Sequence, residues 1–400
     1  MNGQIILSSG YGLSGGGVSG GSSGTGGINI GKNAPATFTS DVIGFSDGDA
    51  IVDATTNNVS FTHDLILETD IATGNIELRA DNGHTLNFAG DALLFSGNNV
   101  LVSSDHGASL TVTGTLEADA TNSLTLFDDN GLGLVQADTL SFVTADVVAG
   151  NFNGAINNLF GSFTGDFSFD ELTLTGTISL FADGDLTALG PVSGSSVSLS
   201  ANGNLTVDDV TVTDPSGSAN FFAGGLATFT GTVSAPNIFV DSADIDIVTG
   251  ASLGVLGVTN TLALIGFNDV GMYIGNITAP GGAYTLNEDG DLHTSTLTIT
   301  SESVGDGPSP DIFIGDAHID GSATPGGGIR NIIVGAPSGS IHILGTVQWV
   351  DAGDSDSLTL NAGENIEVNT DAGRLAMTTR MFIPRLLEAK RRNPFPETHR

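Results

Sequence analysis

The 400-residue chain contains no cysteine. Disulfides, thiolate metal sites and cysteine nucleophiles are therefore excluded. Positive charge is scarce: 10 Lys plus Arg stand against 45 Asp plus Glu. Seven of those ten fall in the last 27 residues, so residues 1–373 hold 3 basic and 43 acidic groups, net −40. Such a surface repels phosphate backbones and anionic lipid. That excludes nucleic acid as a partner of the body and makes cations its expected companions. No run of 18 apolar residues occurs, so no transmembrane helix is expected. The start, "MNGQIILSSGYG", has neither a basic n-region nor an apolar h-region. It is not read as a signal peptide, and any export signal is expected outside this chain. Trp occurs once and Tyr three times beside 21 Phe. Sugar platforms lean on Trp and Tyr, so the Phe residues are read as an internal stack.

What is present is glycine, 57 residues of it, and strand formers throughout. Residues 1–27 form a Gly/Ser-rich low-complexity segment, with "SSGYGLSGGGVSGGSSGTGG" read as a linker or loose first coil. Residues 28–373 form a repeat body. "IELRADNGHTLNF" from Ile76, "ISLFADGDLTAL" from Ile178, "VSLSANGNLTVDD" from Val197 and "LTLNAGENIEVN" from Leu358 share one pattern. Each is an apolar alternation ending in Ala, a short Gly/Asn/Asp run, and a second alternation. Period-2 alternation means strands with one face buried. Asn-Gly, Asp-Gly and Gly-Asp are expected to supply positive-φ corners.

Antiparallel hairpins and a parallel solenoid both fit that pattern, and the near-identical period favours the solenoid. Ile178 to Val197 is one unit, and Ile178 to Leu358 fits nine units of about twenty residues. The expected fold is all-β, a parallel β-helix of about 20-residue coils. About 17 coils at about 4.8 Å each would make a rod of about 80 Å. Inward positions are expected at Val197, Leu199, Ala201, Leu205 and Val207. Residues 374–400 break with this, being basic, with two helical turns expected over 386–392 before Asn393-Pro394.

The "SLSANGNLTV" sentence, with its copies across about residues 28–373, resembles the repeats of filamentous-haemagglutinin-like exoproteins and autotransporter passenger domains of Gram-negative bacteria. The resemblance implies a right-handed parallel β-helix, secreted to the cell surface. It implies a non-enzymatic structural or adhesive rod serving adhesion, aggregation or biofilm scaffolding. Its partners would be a host or cell-surface receptor, further copies of itself, or a polysaccharide.

Three other functions find some support among the residues. A β-helix carbohydrate-active enzyme is the first alternative. "NTD" at Asn369-Thr370-Asp371 matches one polygalacturonase element, but the acidic pairs Asp128-Asp129 and Asp208-Asp209 precede it rather than follow. Only Lys32, Arg79 and Arg330 remain in the body to bind uronate or an anionic transition state. A cation-binding solenoid is the second. No cofactor is required, but calcium is a candidate, held by Asp289, Asp291, Asp316 and Asp320, since hard cations want several oxygens. An ice-binding face is the third, from Thr-x-Thr at Thr111/Thr113, Thr173/Thr175, Thr211/Thr213, Thr228/Thr230 and Thr296/Thr298. Against it, Thr is a good outward strand residue in any sheet. The seven His residues form no H-x-x-x-H or H-x-H pair, so no zinc site is expected.

Overall fold

The structure is a computed structural model that describes residues 5–8, 14–15, 18–20, 27–31, 35–69, 74–128, 134–150, 155–286, 292–303, 307, 309–320, 329–350, 357–368 and 375–377. Every regular element among them is a β-strand; there is no helix. A sheet of 27 strands dominates, accompanied by two five-stranded sheets and one of three. Apart from one isolated antiparallel bridge between Asn276 and Asp316, pairing between the strands is parallel except near the start. There Ser14–Gly15, Val18–Gly20 and Ile28–Ile30 pair antiparallel. Parallel pairing on this scale requires that each strand return to its neighbour by a crossover, as in a β-solenoid, and excludes consecutive two-residue hairpins.

One ladder shows why these residues form strands. Ile5 pairs with Val42, and the register runs on through Leu65, Ala92, Leu116, Leu140, Leu159 and Ile178. It continues through Val197, Ala219, Ile238, Leu262, Leu297, Ile332 and Leu358. Every position is apolar. From Val42 to Ile332 every one is buried. Each strand alternates buried and part-exposed residues, as in Thr177–Ala182 and Ser196–Ala201. A one-residue slip would turn the whole apolar row to solvent, so burial enforces register. Each buried Leu, Val or Ile contributes about 1.5–3 kcal/mol. The inward positions expected at Val197, Leu199, Ala201, Leu205 and Val207 are all fully buried.

The steps of this ladder are unequal. Leu159, Ile178 and Val197 are 19 residues apart, whereas Leu262, Leu297 and Ile332 are 35 apart. From Ile178 to Leu358 there are seven steps rather than nine. The extra length loops out before and after short strands such as Met272–Ile274, Tyr284–Leu286 and Ile312–Ile314, which build a second sheet.

Some phenylalanines stack inside, whereas Phe45, Phe160 and Phe239 are exposed. The rings of Phe38, Phe61 and Phe88 lie 4.8 and 4.9 Å apart and nearly parallel. That is the spacing between strands, so one side chain per rung sets the stack. At the far end the alternation weakens. Ser357–Ala362 and Ile366–Val368 are half-exposed or exposed, with no further described strand laid against them.

Two outlying segments enter the sheets. Ile5–Ser8, within the Gly/Ser-rich stretch, pairs with Val42–Ser46 because its Ile-Ile-Leu run supplies an apolar rung. Leu375–Met377 pairs with Val347–Val350. The helical turns expected over 386–392 lie outside the described residues.

Candidate functional site

The acidic residues at the corners have a recurring partner. The backbone N–H of Asp91 donates to Asp64 Oδ1 at 2.9 Å, and that of Thr115 donates to Asp91 Oδ1 at 2.7 Å. Asp185 N–H donates to Asp166 Oδ1 at 2.9 Å, Asn204 N–H to Asp185 Oδ1 at 2.7 Å, and Leu226 N–H to Asn204 Oδ1 at 2.9 Å. Thr232 to Asp209 and Ser340 to Asp311 repeat it. Each corner carboxylate or amide thus accepts the first N–H of the next rung, a donor that would otherwise face outward unpaired. Asn204 and Asn158 accept in the same way, so the carbonyl-type oxygen matters more than the charge.

Glycine precedes the donor for a spatial reason. A Cβ on Gly90, Gly114, Gly184 or Gly203 would lie well inside 3.0 Å of the accepting Asp Oδ1. None of these four has a positive φ. The expectation that Asn-Gly, Asp-Gly and Gly-Asp supply positive-φ corners fails at these four glycines, which instead leave room for the oxygen from the rung before, and holds at Asn82-Gly83. Gly83 and Gly107 do have positive φ, 73° and 75°.

The calcium candidates are placed as follows. Asp316 is exposed and its Oδ1 accepts the N–H of Thr346 at 2.6 Å, so this carboxylate joins one rung to the next. Asp320 ends the strand Ala317–Asp320, and its side chain is outside the described residues, as are Asp289 and Asp291. Of the acidic pairs, Asp209 is an acceptor for Thr232 and Asp208 lies 3.5 Å from Thr230 Oγ1. "NTD" and Asp129 lie outside the described residues. Thr298 is flanked in register by Ala263 and Ile333, so Thr296/Thr298 starts no continuous Thr rank.

Two carboxylates on one outer face have altered acidity. Burial raises the pKa of Glu117, helped by the charges of Asp119 and Asp91. Burial also raises Asp119, opposed by the Val143 N–H it accepts. A catalytic carboxylate pair needs pKa values pushed apart, one to hold a proton and one to lack it. Here both move upward.

An open groove of about 490 Å³ crosses four successive rungs. Asp269, Ser309, Asp311, Phe313, Ser338 and Glu364 are among its walls. Beside it runs an external ring stack. Tyr273 lies 4.8 Å from Phe313, and Phe313 lies 4.9 Å from the imidazole of His342. Parallel register places them, since Met272–Ile274, Ile312–Ile314 and Ile341–Ile343 are neighbouring strands. The imidazole is held on both sides, with Nδ1 3.1 Å from Glu367 Oε2 and Nε2 3.3 Å from Asp311 Oδ2. The ring faces cover one another, and of the three rings Phe313 lines the groove, together with the hydroxyls of Ser309 and Ser338 and the carboxylates of Asp269, Asp311 and Glu364. That set offers acceptors to a hydroxyl-rich or cationic chain lying along the rungs. Sequence spacing could not reveal it, because Tyr273, Phe313, His342 and Glu367 are brought together only by unequal steps.

No protein family, curated protein or solved structure matches the chain.

Proposed function

We propose that the chain is a non-enzymatic structural or adhesive rod of a secreted surface protein, coiled as a right-handed parallel β-helix. The observation that carries this reading is the apolar ladder from Ile5 to Leu358, one unbroken succession of parallel rungs. A chain built this way gains length with every rung, and its corner acids serve the joints between rungs. Fourteen steps at about 4.8 Å make about 67 Å of rod. On this reading the outer faces and the groove beside Tyr273 and Phe313 meet the partner. The partner is a cell-surface receptor, a polysaccharide or another copy of the chain. The acidic surface keeps rods apart until a specific contact forms.

Small-angle scattering on the full chain tests the rod. A cross-section of roughly 20–25 Å with a much longer axis is expected from this strand geometry, and a compact particle would overturn it. Beads coated with the chain test adhesion. Binding to cells or to immobilised polysaccharide should fall when Phe313→Ala and Glu364→Gln are combined. Unchanged, or absent, binding would remove the adhesive part of the reading and leave the structural part.

A further inference from the structure

Two successive corners differ from the rest. One runs Asp81-Asn82-Gly83-His84, the other Asp105-His106-Gly107-Ala108. They are stacked, because Ile76–Ala80 pairs in parallel with Asn99–Ser104 and the Asp105 N–H donates to the Ala80 carbonyl at 3.1 Å. Asn82 and His106 have φ of 55° and 45°, the two non-glycine residues with positive φ among those described. Asn and His tolerate that region better than most residues. The His106 ring is turned onto the corner of the preceding rung. Its Nδ1 lies 2.8 Å from Asp81 Oδ1 and 3.4 Å from Asp105 Oδ2.

We propose that Asp81, Asp105 and His106 form a surface site for a first-row divalent transition ion of the zinc class. One donor atom from each residue lies within 4.8 Å of the other two. Bonds of zinc to imidazole and carboxylate are about 2.0–2.2 Å, so its ligand atoms are about 3.0–3.4 Å from one another in octahedral or tetrahedral arrangement. Nδ1 lies 3.4 Å from Asp105, within that range, and 2.8 Å from Asp81, a few tenths of an ångström short of it, so admitting the ion means opening the hydrogen bond to Asp81 slightly.

Both carboxylates also accept a backbone N–H, Asp81 at the oxygen that faces Nδ1 and Asp105 at its other oxygen. Asn82 N–H donates to Asp81 Oδ1 at 2.6 Å, and His106 N–H donates to Asp105 Oδ1 at 2.8 Å. Such bonds orient ligating carboxylates. The imidazole decides the class of ion: nitrogen suits zinc, copper and nickel, whereas calcium and magnesium prefer oxygen alone. Two carboxylates and a neutral imidazole give the site a charge of −2. The His106 side chain is largely exposed, so water completes the coordination and the ion exchanges. The H-x-x-x-H test missed this site because its halves come from two rungs, 25 residues apart.

The experiment is calorimetric titration of the full chain, stripped with chelator, with zinc chloride. One site per chain with a dissociation constant on the order of micromolar is expected for three donors. His106→Asn is the decisive variant, because Asn82 shows that Asn fits the same turn one rung earlier. It should weaken binding at least about tenfold, as should Asp81→Asn, while Asp316→Asn should not. Copper(II) in place of zinc should give a spin-resonance spectrum with a single coordinated nitrogen, lost in His106→Asn. Binding weaker than millimolar would overturn the proposal. So would zinc binding that survives His106→Asn, which would place the ion on other side chains. A folding defect is separated by circular dichroism, which should be the same for His106→Asn and the parent chain.

Discussion

Replacing Asp241 by Asn should stabilise the protein at neutral pH and do nothing at pH 4. Asp241 lies on the strand Asn237–Ile247, in register between Phe222 and Ile265. Phe222 and Phe267, from the strands on either side, stack with centroids 5.6 Å apart and meet across it. Its Oδ1 is buried and has no hydrogen-bond partner among the described residues. Burial first, and the charge of Glu302 second, push its pKa up to about 6. An unfolded Asp titrates near 3.9, so the difference is about two units, or at most about 2.9 kcal/mol. The group is half-exposed, and screening by solvent reduces this to about 1–1.5 kcal/mol. The folded pKa is the higher one, so between about pH 4 and 6 the folded state holds more protons. Stability therefore falls as pH rises through that window, and the penalty is complete above about 6.5. Asn removes the charge and keeps the shape. Urea denaturation followed by circular dichroism at pH 4, 5, 6 and 8 should show Asp241→Asn gaining about 1 kcal/mol at pH 8 and nothing at pH 4. A variant no more stable than the parent at pH 8, or one with the same gain at every pH, would refute the reasoning.

Gly184→Ala should cost about 1–3 kcal/mol, read as a lower melting temperature, because the added carbon meets the Asp166 carboxylate and backbone. Asp316→Ala should cost about 1 kcal/mol while Asp316→Asn costs almost nothing, since Asn still accepts the Thr346 N–H; equal losses in a denaturant titration would instead favour a charge-dependent role such as calcium binding. Phe61→Ala, in the middle of the internal stack, should cost about 3–5 kcal/mol by the same measurement. With 43 acidic groups in residues 1–373, raising sodium chloride from about 10 to 150 mM shortens the screening length from about 30 to 8 Å and should raise the melting temperature. A flat response would remove self-repulsion as a factor in stability.

The parallel β architecture was legible in the chain because its causes are local. Alternation at Val197, Leu199 and Ala201 shows which side chains must be buried, and burial leaves one face per strand. The Phe residues, read as an internal stack, are so only in part: Phe38, Phe61 and Phe88 stack inside, whereas Phe45, Phe160 and Phe239 are exposed. The length of each step was not legible. A uniform twenty-residue unit places nine between Ile178 and Leu358, whereas the register takes seven, because loops between rungs carry no periodic signal. The role of glycine was misread for a related reason. Gly184 looks like a positive-φ corner in one dimension, yet its neighbour in space is an oxygen from the preceding rung.

The sequence by itself determined that this is a strand-built, acidic, cysteine-free chain whose apolar residues define an inner and an outer face. Those properties follow from side-chain chemistry and from a period of two residues, and both can be read along a single line. Only the tertiary structure decided which residues become neighbours across rungs. Asp166 under Asp185, Tyr273 beside Phe313, Phe313 beside His342, and Asp81 against His106 are contacts at separations from 19 to 40 residues. Stacking converts a position along the chain into a height on the solenoid. The conversion depends on the summed length of every intervening loop, so the chemistry at the corners becomes visible only once the rungs are laid on one another.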